Sequence, residues 1–160
     1  MNVKEQRQEW VSRMIGPEVP RLWCPPLTHY RADGSLDADR MRAHWKFMSP
    51  SVGGFLVPGS TGDGWEMTAA EIAGLLEKAL DLGAELNVRL LVGVLKTDAG
   101  AVKQSIGETL EMLKNRTGES DAVEALRKSR VCGFTVCPPS GAELKTEQIR
   151  DALASVLDLG

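Results

Sequence analysis

Gly53-Gly-Phe-Leu-Val-Pro-Gly-Ser-Thr-Gly-Asp-Gly-Trp-Glu-Met-Thr-Ala-Ala-Glu71 holds the pattern that decides the fold. Gly53 to Pro58 is an uncharged apolar run, short enough for a buried strand. It opens directly into Gly59-Ser-Thr-Gly-Asp-Gly64, whose glycines mark a tight turn. Thr68 and Glu71 then have capping-box spacing, in which each side chain satisfies the other's free backbone N–H. Behind them Ile72, Leu75, Leu76, Ala79 and Leu80 form the stripe of an amphipathic helix. The stretch therefore reads as strand, glycine turn, helix.

The same unit recurs on both sides. Arg21-Leu-Trp-Cys-Pro-Pro-Leu27 is an apolar run closed by prolines, predicted as a first strand that ends near Pro25 with its tail a loop, and the turn-rich Tyr30–Leu36 follows it. Asp37 can cap a helix running to Met48, with Met41, His44, Trp45 and Met48 at helical spacing. Val88 to Leu95 is the third strand. Thr97 and Asp98 cap a helix whose inner face is Val102, Ile106, Leu110 and Leu113. Asn115 to Asp121 is a polar break before a short helix, Asp121 to Ser129, expected to turn Val123 and Leu126 inward. Val131 to Cys137 is the fourth strand, stopped by Pro138-Pro139, and Thr146 caps a last helix with Ile149, Leu153, Val156 and Leu157 on one face. Four strand-then-helix units predict an α/β fold with a parallel sheet, because parallel neighbours need a crossover. A helix is expected ahead of the first strand. No linker composition divides residues 1–160, which read as a single domain.

Composition removes several classes of function. Lys plus Arg is 19 against 22 Asp plus Glu, so no basic field exists to hold nucleic acid. No apolar run approaches the roughly 20 residues of a membrane span, and Met1 to Ile15 carries too many charges for a secretion signal. A cytoplasmic protein is expected. Cys24, Cys132 and Cys137 form no CxxC pair and suit a reducing compartment as buried small hydrophobes. Two separated histidines and scattered cysteines make no metal set, and no cofactor motif occurs.

The stretch Gly54 to Glu71 resembles the strand and Gly-Thr-Thr-Gly-Glu loop of the dihydrodipicolinate synthase and N-acetylneuraminate lyase family. A first strand ending Pro-Pro-Leu-Thr28, the following Asp33-Gly-Ser-Leu-Asp37, the third strand Leu90-Leu-Val-Gly-Val94 and a fourth ending Val136-Cys-Pro-Pro139 fall where that family has its counterparts. The resemblance implies a TIM barrel and class I, pyruvate-type aldolase chemistry, with a 2-keto acid held as a Schiff base on a lysine at the end of strand six. A whole barrel needs roughly 250 residues. The chain thus reads as the first four βα units of a (β/α)8 barrel, its N-terminal half, and the position of that lysine lies beyond Gly160. On this reading the 160 residues alone are inactive.

Small residues at the end of a strand let backbone N–H groups face an anion, while hydroxyls add donors without bulk. By resemblance, Thr61 and the Gly62 amide would grip the keto acid carboxylate and Ser60 would relay protons. The alternative is a turn whose hydroxyls only cap the next helix. A phosphate loop is a poorer account, because the GxxxxGK[ST] spacing and its lysine are missing. Where the family has Pro-Tyr-Tyr, this chain has Pro139-Ser140-Gly141, so the implied relay phenol is absent. Lys96, at the end of strand three, is a candidate contact for an anionic substrate, or an imine former if burial lowered its pKa; its ordinary reading is a solvated loop lysine. His29 and Asp33 could form a general-base pair, or simply be polar surface. His44 is expected to border the core, Tyr30 to sit in a surface turn or else reach into the mouth of the site, and Trp65 to wall the pocket. Trp10, Trp23 and Trp45 read as core or interface residues.

Three functions stay open: a lyase or synthase acting on a small 2-keto acid, a non-catalytic carboxylate-binding or oligomerising half barrel, and an independent α/β domain. Unpaired edges on strands one and four invite pairing with another chain, so a homo-oligomer or association with a downstream half barrel is expected. The stretch Asn115 to Arg130 reads as an oligomer contact or a solvated excursion.

Overall fold

The computed structural model describes residues 19–141 and 143–157. The expected N-terminal helix and Trp10 lie outside them. The elements are β1 (Trp23–Cys24), α1 (Ala38–Met48), β2 (Gly54–Val57), a single 3₁₀ turn (Ser60–Gly62), α2 (Ala69–Glu85), β3 (Arg89–Val94), α3 (Ala99–Thr117), α4 (Ala122–Lys128), β4 (Val131–Val136) and α5 (Thr146–Leu157).

The four strands are parallel and lie in chain order, β1-β2-β3-β4. That order separates two α/β architectures. A doubly wound sheet reverses its winding and places a later strand outside the first, whereas a barrel adds each strand to the same edge. The register pairs Cys24 with Phe55, Phe55 with Leu90, Val57 with Val92, and Val92 with Phe134. Alternation then sends Phe55, Val57, Leu90, Val92 and Val131 into one core with Met41, Trp45, Leu75, Leu76 and Leu113 from the helices. Leu56 and Leu91 point to the other sheet face and are only half-buried.

Local chemistry starts each helix where the sequence places it. The Asp37 carboxylate accepts from the Arg40 N–H at 3.0 Å, Asp98 from Ala101 at 2.8 Å, and Asp121 from Glu124 at 2.9 Å. The capping box forms in both directions: Thr68 N–H donates to Glu71 at 2.8 Å, and Glu71 N–H donates to the Thr68 hydroxyl at 3.3 Å. Each such cap contributes about 1 kcal/mol. Gly118, at φ 72°, closes α3 in the left-handed conformation that costs glycine nothing.

Tertiary context moves several expected features. β1 ends at Cys24, at the expected stop before Pro25 and Pro26, which have no N–H to continue a ladder, but it is only two residues long and leaves out Arg21 and Leu22. α3 runs through the expected break to Thr117, and α4 then folds back so that Ala125 is fully buried. Ala125 and Leu126 thus pack against the core while most other side chains of the stretch stay exposed. Val123, expected inward, is 60% exposed, and the small Ala125 takes that place against the neighbouring elements. Leu157 is 81% exposed, and α5 only half-buries Ile149, Leu153 and Val156. Thr146 is already helical; Ile149 N–H donates to the Lys145 carbonyl, and the Lys145 N–H is met by the Gln148 side chain at 2.9 Å. The three cysteines are half-buried rather than buried.

Candidate functional site

The strands' C-terminal ends gather the loops that carry the predicted site. After β2 the chain enters the 3₁₀ turn, closed by the Gly62 N–H on the Gly59 carbonyl at 3.0 Å, with the Gly64 N–H on the same carbonyl at 3.2 Å. A Cβ on Gly62 would stand 2.8 Å from the Pro26 carbonyl oxygen and 3.0 Å from the Thr28 hydroxyl, so only glycine lets the β1 and β2 loops approach this closely. The contact is bonded as well: the Thr28 hydroxyl donates to the Gly62 carbonyl at 2.7 Å, and the Thr61 hydroxyl to the Pro25 carbonyl at 3.4 Å. Asp63 follows in the left-handed region at φ 61°.

Ser60 and Thr61 are exposed on this turn. The Gly62 N–H is committed to Gly59, whereas the Ser60 and Thr61 N–H groups and the Ser60 hydroxyl have no protein acceptor among the described residues. A turn that presents consecutive free N–H groups beside hydroxyls is suited to an anion.

Tyr30 is not a surface turn residue. It is half-buried, packed against the main core, and its backbone bridges to Leu36. Burial first, and then the nearby Asp63 carboxylate, raise the pKa of its phenol above the ordinary value. Thr28 and Tyr30 thus join the loop cluster, a role that only their place after the Pro25-Pro26 strand end hints at. Trp65 flanks the turn and is 48% exposed.

The pairing of His29 with Asp33 does not form. The Asp33 carboxylate accepts from the Ser35 N–H at 2.9 Å and the Ser35 hydroxyl at 2.7 Å, bonds that hold its pKa below the usual carboxylate value. His29 instead meets His44: Nε2 lies 3.0 Å from Nδ1, with the rings edge to face at 5.0 Å. Burial, then His44 and Arg40, lower the His29 pKa, opposed by Asp37. The folded state therefore binds this proton less readily than the unfolded chain. Stability is full above the ordinary value near 6.5 and declines as pH falls from there through the lowered folded value. Thermal unfolding at about pH 7.5 and about pH 5 is expected to show a loss at the lower pH that His29→Asn reduces by at least half; an equal loss in the variant would remove His29 as its source.

Lys96 stands just past the end of β3. It is exposed, lines a cleft between α2 and α3, and makes no hydrogen bond or ion pair among the described residues. After β4, Ser140 and Gly141 put no ionisable side chain at the strand ends. Among the described residues no three His, Cys, Asp or Glu side chains gather to hold a metal ion, and no helix is long and apolar enough to cross a membrane.

Four consecutive parallel β/α units in chain order, with a glycine-rich loop at the strands' C-terminal ends, define the first half of a TIM-type (β/α)8 barrel. No family model and no curated protein matches the chain. Solved structures do. YagE from E. coli K12, a prophage protein of the dihydrodipicolinic acid synthase family crystallised with pyruvate, superposes with a TM-score of 0.63 at 20% identity, over 85% of this chain and 40% of its own. A monomeric dihydrodipicolinate synthase variant gives 0.68 at 14% identity, over 91% and 43%. N-acetylneuraminate lyase from Mycoplasma synoviae gives 0.63 at 12%, over 91% and 45%. The chain therefore has the fold of one half of the dihydrodipicolinate synthase and N-acetylneuraminate lyase barrels, and spans about two-fifths of the length of the structures it matches.

Proposed function

We propose that this chain is the carboxylate-binding half of a pyruvate-type, Schiff-base-forming lyase or synthase. The observation that carries the reading is the turn Ser60–Gly62. It stands at the catalytic end of a barrel half shared with a pyruvate-complexed structure, and it presents the hydroxyls of Ser60 and Thr61 with two free N–H groups. The substrate is a small 2-keto acid. Its carboxylate lies on Thr61 and on the free Ser60 and Thr61 N–H groups ahead of Gly62, and Ser60 passes protons to and from the reacting carbons. The nucleophilic lysine is supplied by four further β/α units, so the 160 residues alone, acting as one partial-barrel domain in the cytoplasm, bind without turnover. Lys96 plays no part in this reading, because its cleft lies among the outer helices.

Closure of the barrel follows from the sheet. Among the described residues β1 and β4 each pair on one side only, and the inner-face residues Leu56 and Leu91 are half-buried. A second half barrel, or a second copy of this chain, satisfies both edges. A non-catalytic carboxylate-binding role is favoured by one specific observation: the one tyrosine of the chain, Tyr30, lies near Asp63, and Ser140-Gly141 offers no replacement phenol.

Amide NMR titration with pyruvate is expected to shift Ser60, Thr61 and Gly62, and Thr61→Val to weaken binding about tenfold or more, as for a lost hydrogen bond to a charged group. Borohydride added to the mixture is expected to trap no adduct by intact mass. No shift in a folded sample overturns the carboxylate site. A stoichiometric adduct on Lys96 overturns the assignment of the nucleophile to another half.

A further inference from the structure

A second cavity lies on the outer helical surface. α2 contributes Ile72, Ala73 and Leu76 and α3 contributes Glu108 and Met112, each set at the three- and four-residue spacing of one helix face. Lys96 lies at the end nearest β3, and the cleft, half open to solvent, has a volume of about 150 Å³. The gap has a structural cause. At the far end Arg116 on α3 donates to Glu77 and Asp81 on α2, both at 2.6 Å, which ties the helices together. Toward the other end the small Ala73 leaves the space between them unfilled.

Besides its apolar side chains the lining carries one cation, one anion and the hydroxyls of Ser105 and Thr109, of which Thr109 donates to the Ser105 carbonyl at 2.8 Å. Lys96 has no polar partner among the described residues, and Glu108 has one oxygen engaged by the Gln104 amide at 2.8 Å. A simple carboxylate here would meet Glu108, an amine would meet Lys96, and a neutral apolar guest would desolvate both charges with no return. A molecule with an apolar body and both charges meets neither penalty. We propose that this cleft binds a zwitterionic α-amino acid with an aliphatic or thioether side chain, its carboxylate on Lys96, its ammonium on Glu108, and its side chain against Ile72, Leu76 and Met112. The site is independent of the loop after β2.

Methyl and amide NMR titration of the 160-residue protein with L-leucine tests it, with isovalerate and isopentylamine as probes lacking one charge each. L-Leucine is expected to shift the Ile72, Leu76 and Met112 methyl signals saturably, and each single-charge probe to bind three- to tenfold more weakly. Lys96→Ala and Glu108→Ala, both at exposed positions, are each expected to bring L-leucine down to the level of the probe that lacks the matching charge. Isovalerate binding as tightly as L-leucine overturns the proposal in favour of a plain carboxylate site. Absence of saturable shifts overturns it outright. So does a dimer in sedimentation that Ala73→Trp dissociates, since a second copy would then be the occupant.

Discussion

Trp45→Ala is expected to destabilise the protein by about 3–5 kcal/mol, the range for removing a fully buried aromatic side chain. Trp45 is fully buried and stacks on Phe55, also fully buried, with ring centroids 4.4 Å apart and planes 24° from parallel. The pair is the seat of α1 on β2. Truncation forfeits both the transfer of the indole from water and the stacking, which adds about 0.5–1.5 kcal/mol beyond burial. Against a typical total of roughly 5–15 kcal/mol, such a loss leaves a large unfolded fraction. Trp45→Phe separates the contributions. The indole N–H is buried with no hydrogen-bond partner among the described residues, so phenylalanine removes an unsatisfied donor while leaving a small void, and less than about 2 kcal/mol of loss is expected. Urea unfolding followed by circular dichroism measures both; a Trp45→Ala variant within about 1 kcal/mol of the parent would mean that α1 is not seated on β2 as described.

Gly93→Ala is the second large effect. A Cβ at Gly93 would lie 2.0 Å from the Pro58 carbonyl oxygen, a backbone atom at the end of β2. No rotamer relieves that contact. Only separation of β2 from β3 would, and the ladder pairs Val57 with Val92 at that point. Overpacking of this kind costs about 1–3 kcal/mol where neighbours can shift, and more where they cannot; a loss of about 3 kcal/mol or more is expected. Gly107→Ala is the control of opposite sign. Gly107 sits inside α3, where an added Cβ would meet nothing within 4 Å, and helix propensity predicts a gain of about 1 kcal/mol. Denaturant midpoints that move in the same direction for both variants would show that glycine content, rather than the close β2–β3 approach, governs the response.

Much of the fold is legible without tertiary structure because its determinants are neighbours in the chain. Asp37, Thr68, Asp98 and Asp121 each start a helix through a bond to an N–H three residues ahead. The stripe from Leu75 to Leu80 is buried where its period says. The loop Gly59–Gly64 is visible as a glycine-rich interruption after an apolar run. The features that local pattern misplaces are those that depend on a distant partner. Val123 and Leu157 fit the helical period but face no neighbour, while Ala125, a small residue that the pattern does not single out, takes the contact. Tyr30 reads as a turn residue until the β2 loop brings Asp63 to its phenol.

The sequence by itself determined four β/α units, their order, their caps and the hydroxyl-bearing turn, since these rest on interactions within three or four residues. The tertiary structure alone decided that His29 meets His44 rather than Asp33, that Gly93 lies under Pro58, and that Lys96 borders a cleft between α2 and α3. Each joins segments separated along the chain. Such contacts arise only when parallel strands twist into register and carry their connecting helices to one side, a geometry that local periodicity does not encode.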